Sequence, residues 1–397
     1  MGRAETIDGI YLDHNATTPL AAGVREAMLP YLGEIFGNAS SIHQRGQHAR
    51  RGVDLARKQL ATLIGCTAAE IVFTSGGTEA DNLAIFGALG RDEARDRLVI
   101  SAIEHPAILA AAERAAALGF DVRRVGVDGS GRVDLAQLSD ALSERTALVS
   151  IMFANNEVGT IQPIAEIAAL AHAHGALMHS DAVQAVGKLP VDVSALGVDL
   201  LSISAHKIYG PQGVGALFVK RELELTPLLY GGEQEFRRRA GTENVMGIVG
   251  FGAAAAIARD RGEEHAALGE LRDRLERGLS AIVGAQIFAA EAPRLANTCA
   301  AAFVDVEGTA LLMNLDLLGI SVSVGSACAS GKIGASHVLL AMGFDEASAL
   351  GAVRFSLGDQ NSAQQIDRVI EAVAEIVDRL RATSSVGDLR ASLEGIG

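Results

Sequence analysis

SISAHKIYGPQGVGALFVK runs from Ser202 to Lys220 and holds two apolar, β-rich runs joined by a tight loop. Gly210, Pro211 and Gly213 punctuate the loop, and His206 and Lys207 stand where the first run ends. A connection this short predicts an antiparallel pair. Upstream the pattern is different. IVFT (Ile71–Thr74), LVIS (Leu98–Ser101), ALVSIMFA (Ala147–Ala154) and ALMHSDA (Ala176–Ala182) are short apolar runs. Helical stretches separate them, among them SGGTEADNLAIFGALG, HPAILAAAERAAALG and residues 163–174. Strands alternating with helices predict an α/β fold, with a mostly parallel sheet covered on both faces.

After about Gly250 the rhythm changes again. A charged, Ala-rich helical stretch from Phe251 to about Gly284 precedes the strand-like runs AAAFVDV, ISVSVG and AVRFSL. An amphipathic helix from roughly Ala363 to Thr383 follows. This reads as a smaller α+β unit. The 397-residue chain is therefore expected to form a large domain from residues 16–255 and a small one from residues 1–15 and 256–397.

The net charge of −14 argues against a general electrostatic grip on nucleic acid, although the basic run Arg237, Arg238 and Arg239 is a candidate for holding a local anion. Three cysteines, Cys66, Cys299 and Cys328, stand far apart with no CxxC pair, which argues against a zinc or disulfide framework. An odd cysteine count and an N-terminus without an apolar leader fit a reducing cytoplasm. No apolar stretch reaches the length of a membrane span.

Ligands of open α/β sheets bind beyond the carboxyl ends of strands, and several chemically able residues fall there. Lys207 is one. It is either a surface lysine or an amine tuned to form a covalent link with a carbonyl group. Asp181, just past ALMHS, is either a helix N-cap or a carboxylate facing a cofactor. A carboxylate beside a carbonyl-binding lysine suits pyridoxal 5'-phosphate (PLP), whose ring nitrogen must stay protonated to draw electrons. Gln184 could donate to the phenolic oxygen of that ring. Gly76 and Gly77 open a helix whose first N–H groups suit a phosphate, with Thr78, Ser204 and His206 nearby. His105 could stack on the ring and move protons. Cys328 is left open, as a small core residue or a reactive thiol.

At this point the chain resembles the class V aminotransferase family, and within it the NifS/IscS-type cysteine desulfurases. The likeness runs from YLDHNATTPL at Tyr11 to VRFSLG ending at Gly358. It includes GNASSIHQRGQHAR, IVFTSGGTEADNLAI, NNEVGTIQPI, HSDAVQAVGKLPVDV, SAHKIYGPQGVGAL, RRAGTENV and GSACASG. The resemblance implies the PLP-dependent transferase fold type I, with a mostly parallel sheet in the large domain and a smaller α+β domain carrying the Cys328 loop. It implies that Lys207 carries the cofactor, that His105 stacks on it and that Asp181 pairs with its ring nitrogen. Gln184 and Asn156 match residues around the phenolic oxygen and substrate. Gly77, Thr78, Ser204 and His206 match phosphate ligands, and Thr242 matches one that reaches in from a second subunit. Arg354 matches the arginine that pairs with the substrate carboxylate, and Cys328 the nucleophile that carries the persulfide.

The expected activity is conversion of L-cysteine to L-alanine in a homodimer. Sulfur would pass to an acceptor such as an Fe–S scaffold, with no direct role for nucleic acid or membrane. Selenocysteine lyases and aminotransferases share the fold and are the alternatives. The loop departs from the usual IscS form at Ala329 and in the following GKIGA, and the end SSVGDLRASLEGIG lacks the extended tail of housekeeping members. These departures bear on the acceptor rather than on the chemistry.

Overall fold

A computed structural model describes residues 9–92, 94–259, 262–325 and 334–394. Strand β1 (Ile10–Tyr11) comes first in the chain. The main sheet is built from β2 (Ile71–Thr74), β3 (Arg97–Ser101), β4 (Asp121–Val125), β5 (Thr146–Ser150), β6 (Leu177–Asp181), β7 (Leu200–Ser204) and β8 (Gly215–Val219). Their order across the sheet is β2-β8-β7-β6-β5-β3-β4. Strands β7, β6, β5, β3 and β4 run parallel, whereas β8 is antiparallel to both neighbours. The short loop after Lys207 does join an antiparallel pair, in which Ser204 faces Gly215.

Every residue of β5, β7 and β8 is buried, as a sheet covered on both faces requires. On one face lie helices Gln44–Ile64 and Val245–Ala258, whose Val53, Leu60, Ile248 and Phe251 pack with Ile203 and Phe218. On the other lie Gly77–Leu89 and Pro106–Ala117, whose Leu83 and Ile108 pack with Leu98, Leu148 and Leu217. The sequence pattern missed β4, an edge strand. Its Arg123 and Arg124 are exposed, and charged residues on an edge break the apolar signal while blocking further pairing.

A second sheet holds β9 (Ala285–Ile287), β10 (Thr298–Phe303), β12 (Ser323–Val324) and β13 (Val353–Ser356), antiparallel in the order β12-β13-β10-β9. β11 (Ile320–Ser321) pairs instead with β1, in register Ile10 to Ile320. ISVSVG is thus divided between two sheets, and the N-terminus joins the core formed by the later part of the chain. Ile10 and Leu12 pack with Leu275, Phe303, Phe355, Ile366 and Val373. The long helical stretch after Gly250 is described as two helices, Val245–Ala258 and Gly262–Ser280. The final helix spans Ala363–Glu394, longer than its amphipathic signal. A further cluster joins the two sheets, with Ile103, Met152 and Val158 against Phe288, Ala300 and Val338. Among the described residues, no helix is long and apolar enough to cross a membrane.

Candidate active site

The carboxyl ends of β3, β5, β6 and β7 open on one cleft of about 280 Å³. It is lined by Gly77, Thr78, His105, Asn156, Asp181 and Gln184, by Ser204, His206 and Lys207, and by Arg354 from β13. Residues that lie far apart in sequence meet here because parallel strands present all their carboxyl ends on one side.

Lys207 ends a single 3-10 turn, Ala205–Lys207, directly after β7. Its Nζ donates to the carbonyl oxygens of Asn15 (2.6 Å) and Ala16 (2.7 Å). The following Tyr209 has a φ of 64°, which costs a non-glycine residue energy and is the kind of strain that collects at functional sites. The turn is braced from the N-terminal segment, where Thr18 N donates to His206 O (3.0 Å) and Thr18 Oγ1 accepts from Tyr209 N (2.8 Å).

Asp181 is buried at the end of β6. No helix follows it directly, so it does not cap one. Its Oδ1 accepts from Val183 N at 2.9 Å. Burial pushes its carboxyl above the usual range, while His105, the Val183 N–H and Lys207 pull it back. His105 caps the helix Pro106–Ala117 by accepting from Ala107 N at Nδ1 (3.2 Å). Burial lowers its pKa, Asp181 opposes this, and Lys207 and His337 add to it. The neutral ring then carries its proton on Nε2 and is a donor there. Burial and Lys207 push His206 down to about 4, so it too is uncharged near neutrality.

The helix Gly77–Leu89 starts without a side-chain cap. Its N-cap Gly76 has a φ of 157°, a conformation side-chain-bearing residues rarely adopt. A Cβ on Gly77 would stand 2.8 Å from Val183 Cγ2. The backbone can therefore come close to whatever occupies the cleft, with uncapped N–H groups and the positive end of the helix dipole beside it. Two buried polar atoms of the cleft wall, Asp81 Oδ1 and Arg354 Nε, have no hydrogen-bond partner among the described residues. An open helix N-terminus, a buried carboxylate, a lysine and a flat imidazole make a donor set that fits a phosphorylated aromatic aldehyde such as PLP.

Arg354 is buried and forks between Asp13 Oδ1 (2.6 Å from Nη2) and Asn156 O (3.0 Å from Nη1). Thr242 does not line this cleft. It is exposed, next to Glu243, which pairs with Arg50 at 3.1 Å. Cys328 lies outside the described residues. Cys299 is fully buried in β10 and burial pushes its thiol up to about 12; Cys66 is driven to a similar value by burial and Glu70. Neither is a ready thiolate. The basic run is internally engaged. Arg237 pairs with Glu233, Arg238 donates to Leu223 O and Arg239 pairs with Glu79. That leaves no reason to read it as an anion site.

Sequence reasoning missed Asp13, Asn15, Asp81 and Lys188. Asn15 is a hub. Its carbonyl accepts Lys207, its Oδ1 accepts Lys188 (3.0 Å), and its Nδ2 donates to Asn156 O (3.1 Å) and Thr298 Oγ1 (2.9 Å). The LDHNATT stretch was visible as a motif, but nothing local assigns a role to an Asn that acts through its main chain.

Residues 10–369 match the family described as aminotransferase class-V. A cysteine desulfurase from Cereibacter sphaeroides is 49% identical over 384 residues, covering 96% of this chain and 99% of its own length. A solved NifS-like protein superposes with a TM-score of 0.88 at 37% identity, covering 93% of this chain and 99% of that one. A structure described as SspA in complex with cysteine gives a TM-score of 0.79 at 34% identity, over 89% of this chain and all of that one.

Proposed function

The chain belongs to the class V aminotransferase family, and from that premise we propose that it is a PLP-dependent cysteine desulfurase. L-cysteine and the Cys328 thiol become L-alanine and a Cys328 persulfide. The cysteine C–S bond breaks, an S–S bond forms on the protein, and the thiol protons end on alanine and the persulfide. The observation that carries this reading is the convergence of Lys207, Asp181, His105 and Arg354 on one cleft.

PLP bound there supplies an electron sink and a covalent anchor for the amino group. Lys207 would carry it, and its Nζ would hold the α-proton. Asp181 keeps the ring nitrogen protonated. Gln184 would donate to the phenolic oxygen. Thr78, Ser204, His206 and the N–H of Gly77 hold the phosphate. Arg354, with Asn156 beside it, receives the substrate carboxylate on its fork. His105 would stack on the ring, and its Nε2–H would stabilise the attacking thiolate.

The working form is a homodimer. Leu29, Leu32, Phe36, Ile42, Leu229, Tyr230 and Phe236 are all exposed. Arg50 of helix Gln44–Ile64 ties the segment before that helix to the one before Val245–Ala258, donating to Ala39 O and pairing with Glu243. An apolar surface this broad suits burial against a second copy. Exposed Thr242 would complete the phosphate site of the partner from this surface. The functional units are the large domain, residues 16–255, and the small one, residues 1–15 and 256–397. Sulfur leaves to an acceptor protein such as an Fe–S scaffold, in the cytoplasm.

The test is alanine and sulfide production from L-cysteine with a reductant, for wild type and Cys328→Ala side by side. Product from wild type and none from the variant is expected. Equal product from both would overturn the role of Cys328, and none from either would overturn the activity.

A further inference from the structure

Lys188 lies behind the cleft, on the loop that leaves β6. Its Nζ donates to Gln184 Oε1 at 2.7 Å and to Asn15 Oδ1 at 3.0 Å. Among the described residues no carboxylate stands within ion-pair distance of it. Burial pushes its pKa well below the usual lysine value, and Lys207 and Arg354 push it the same way. An amine withdrawn from water without a counter-charge costs stability, and packing alone does not call for one.

As an ammonium Lys188 offers donors only, and as a neutral amine it still has two N–H groups to give these two oxygens. This matters for Gln184, because the two ends of an amide have the same shape and either could face the cleft. With Oε1 held by Lys188, Nε2 is the other end, and it donates one hydrogen to Asn15 O at 2.8 Å. That carbonyl also accepts Lys207 Nζ. The second Nε2 hydrogen is left for the cleft that Gln184 lines together with Asp181. Asn15 is fixed in the same way. Its Oδ1 receives Lys188 and Asn297 Nδ2 (3.1 Å), which turns its Nδ2 toward Asn156 O.

We propose that Lys188 is a positioning residue of this site. By holding Gln184 Oε1 it fixes the amide so that an N–H, rather than an oxygen, faces the bound ring. The proposal rests on the PLP reading above. Without Lys188 only the bond to Asn15 O holds the amide, which is then freer to turn over and set a carbonyl oxygen against the phenolic oxygen of the cofactor. A hydrogen bond is then replaced by repulsion, and the electronic state of the ring changes.

The experiment titrates apo-protein with PLP for wild type, Lys188→Met, Lys188→Arg and Gln184→Leu, and for the Gln184→Leu/Lys188→Met double variant. Cofactor affinity, the visible absorption band and the melting temperature of the apo-protein are read for each. Lys188→Met is expected to melt near wild type, bind PLP about tenfold more weakly, as loss of one hydrogen bond implies, and show a shifted band. Lys188→Arg should restore most of both. In the Gln184→Leu background Lys188→Met should move the band no further. A wild-type band and affinity in Lys188→Met, or an equal added shift in the double variant, would overturn the proposal. Should Lys188→Met fail to fold, Gln184→Glu decides. It keeps an acceptor for Lys188 but removes the donor from the cleft, so an unshifted band there would overturn the proposal. Failure of wild type to take up PLP would instead refute the function reading, and this proposal with it.

Discussion

Arg354 and Asp13 form a part-buried ion pair, with Nη2 to Oδ1 at 2.6 Å, that joins β13 to the segment after β1. The two residues come from opposite ends of the chain and meet because the segment after β1 runs along the end of β13, with Asp13 bridged to Ser356. The pair sets the plane of the guanidinium, while Nε stays unpartnered at the cleft wall. A carboxylate arriving there meets a fork that is already oriented.

Arg354→Ala should therefore raise KM for L-cysteine by about 10²–10³, the loss of a charge-assisted pair, and leave the cofactor absorbance in place. Asp13→Asn keeps the guanidinium but loosens its plane, and should raise KM by about tenfold. Steady-state kinetics on both variants checks this. A change confined to kcat would contradict carboxylate binding at Arg354.

Asp181→Ala should lower kcat by about 10²–10³, because the ring nitrogen loses the charge that keeps it protonated. The apo-protein should melt no lower than wild type, since its carboxyl is held in a burial that raises its pKa. Stopped-flow kinetics and thermal melting together separate this from a purely structural role. A large fall in melting temperature with nearly normal turnover would mark Asp181 as a turn residue.

Much of this was legible in the sequence. Parallel strands in a covered sheet are apolar on both faces, so β5, β7 and β8 announced themselves, and residues just beyond such runs could be placed in the cleft. β4 was hidden because an edge strand carries Arg123 and Arg124. The division of ISVSVG between two sheets was hidden because the switch depends on β1, some 300 residues away. Asn15 and Lys188 were hidden for a different reason. Both act on other site residues rather than on a ligand, and pattern reading finds side chains by their own chemistry. Asp181 showed the reverse error, since its helix-cap reading needed a helix that the chain does not form.

Arg57 and Glu235 form a buried bidentate pair, with Nη1–Oε2 at 2.7 Å and Nη2–Oε1 at 2.6 Å. Glu235 Oε2 also accepts from Phe73 N at 2.8 Å, and the guanidinium lies 4.6 Å from the Phe73 ring centre. These contacts hold Glu235, Phe236 and Arg237 in left-handed conformations, with φ of 47°, 59° and 66°, five residues before Thr242. Arg57→Ala strands the carboxylate and should cost about 3–5 kcal/mol in urea unfolding. It should also weaken self-association, because the loop bearing Tyr230 and Phe236 loses its anchor. Sedimentation across a dilution series would read the second effect. An undiminished dimer would show that the loop is shaped without Arg57.

Glu104, directly before His105, is fully buried. It accepts from Ser101 Oγ and from Met152 N (3.0 Å), and burial pushes its carboxyl up to about 8, with Asp181 adding to the shift. In the unfolded chain the same carboxyl titrates near 4.5. Between these values the fold binds a proton that the unfolded chain has released, so the contribution of Glu104 is fully present below about 4.5 and is lost as pH rises toward 8. The slope is about 1.4 kcal/mol per pH unit. His206 and His179, lowered to about 4 and about 3, act in the opposite direction and cost stability as pH falls below 6.5. They are common to wild type and variant and cancel in the difference. Glu104→Gln reproduces the protonated acid, with an oxygen for the Ser101 and Met152 donors and no proton to lose. Its stability relative to wild type should thus climb steadily from about pH 5 to pH 8 and then level off. Urea unfolding of both proteins at half-unit pH steps measures the gap. A gap that stays flat across this window would mean that Glu104 is ionised in the fold, and that Asp181 shares its end of the cleft with a second negative charge.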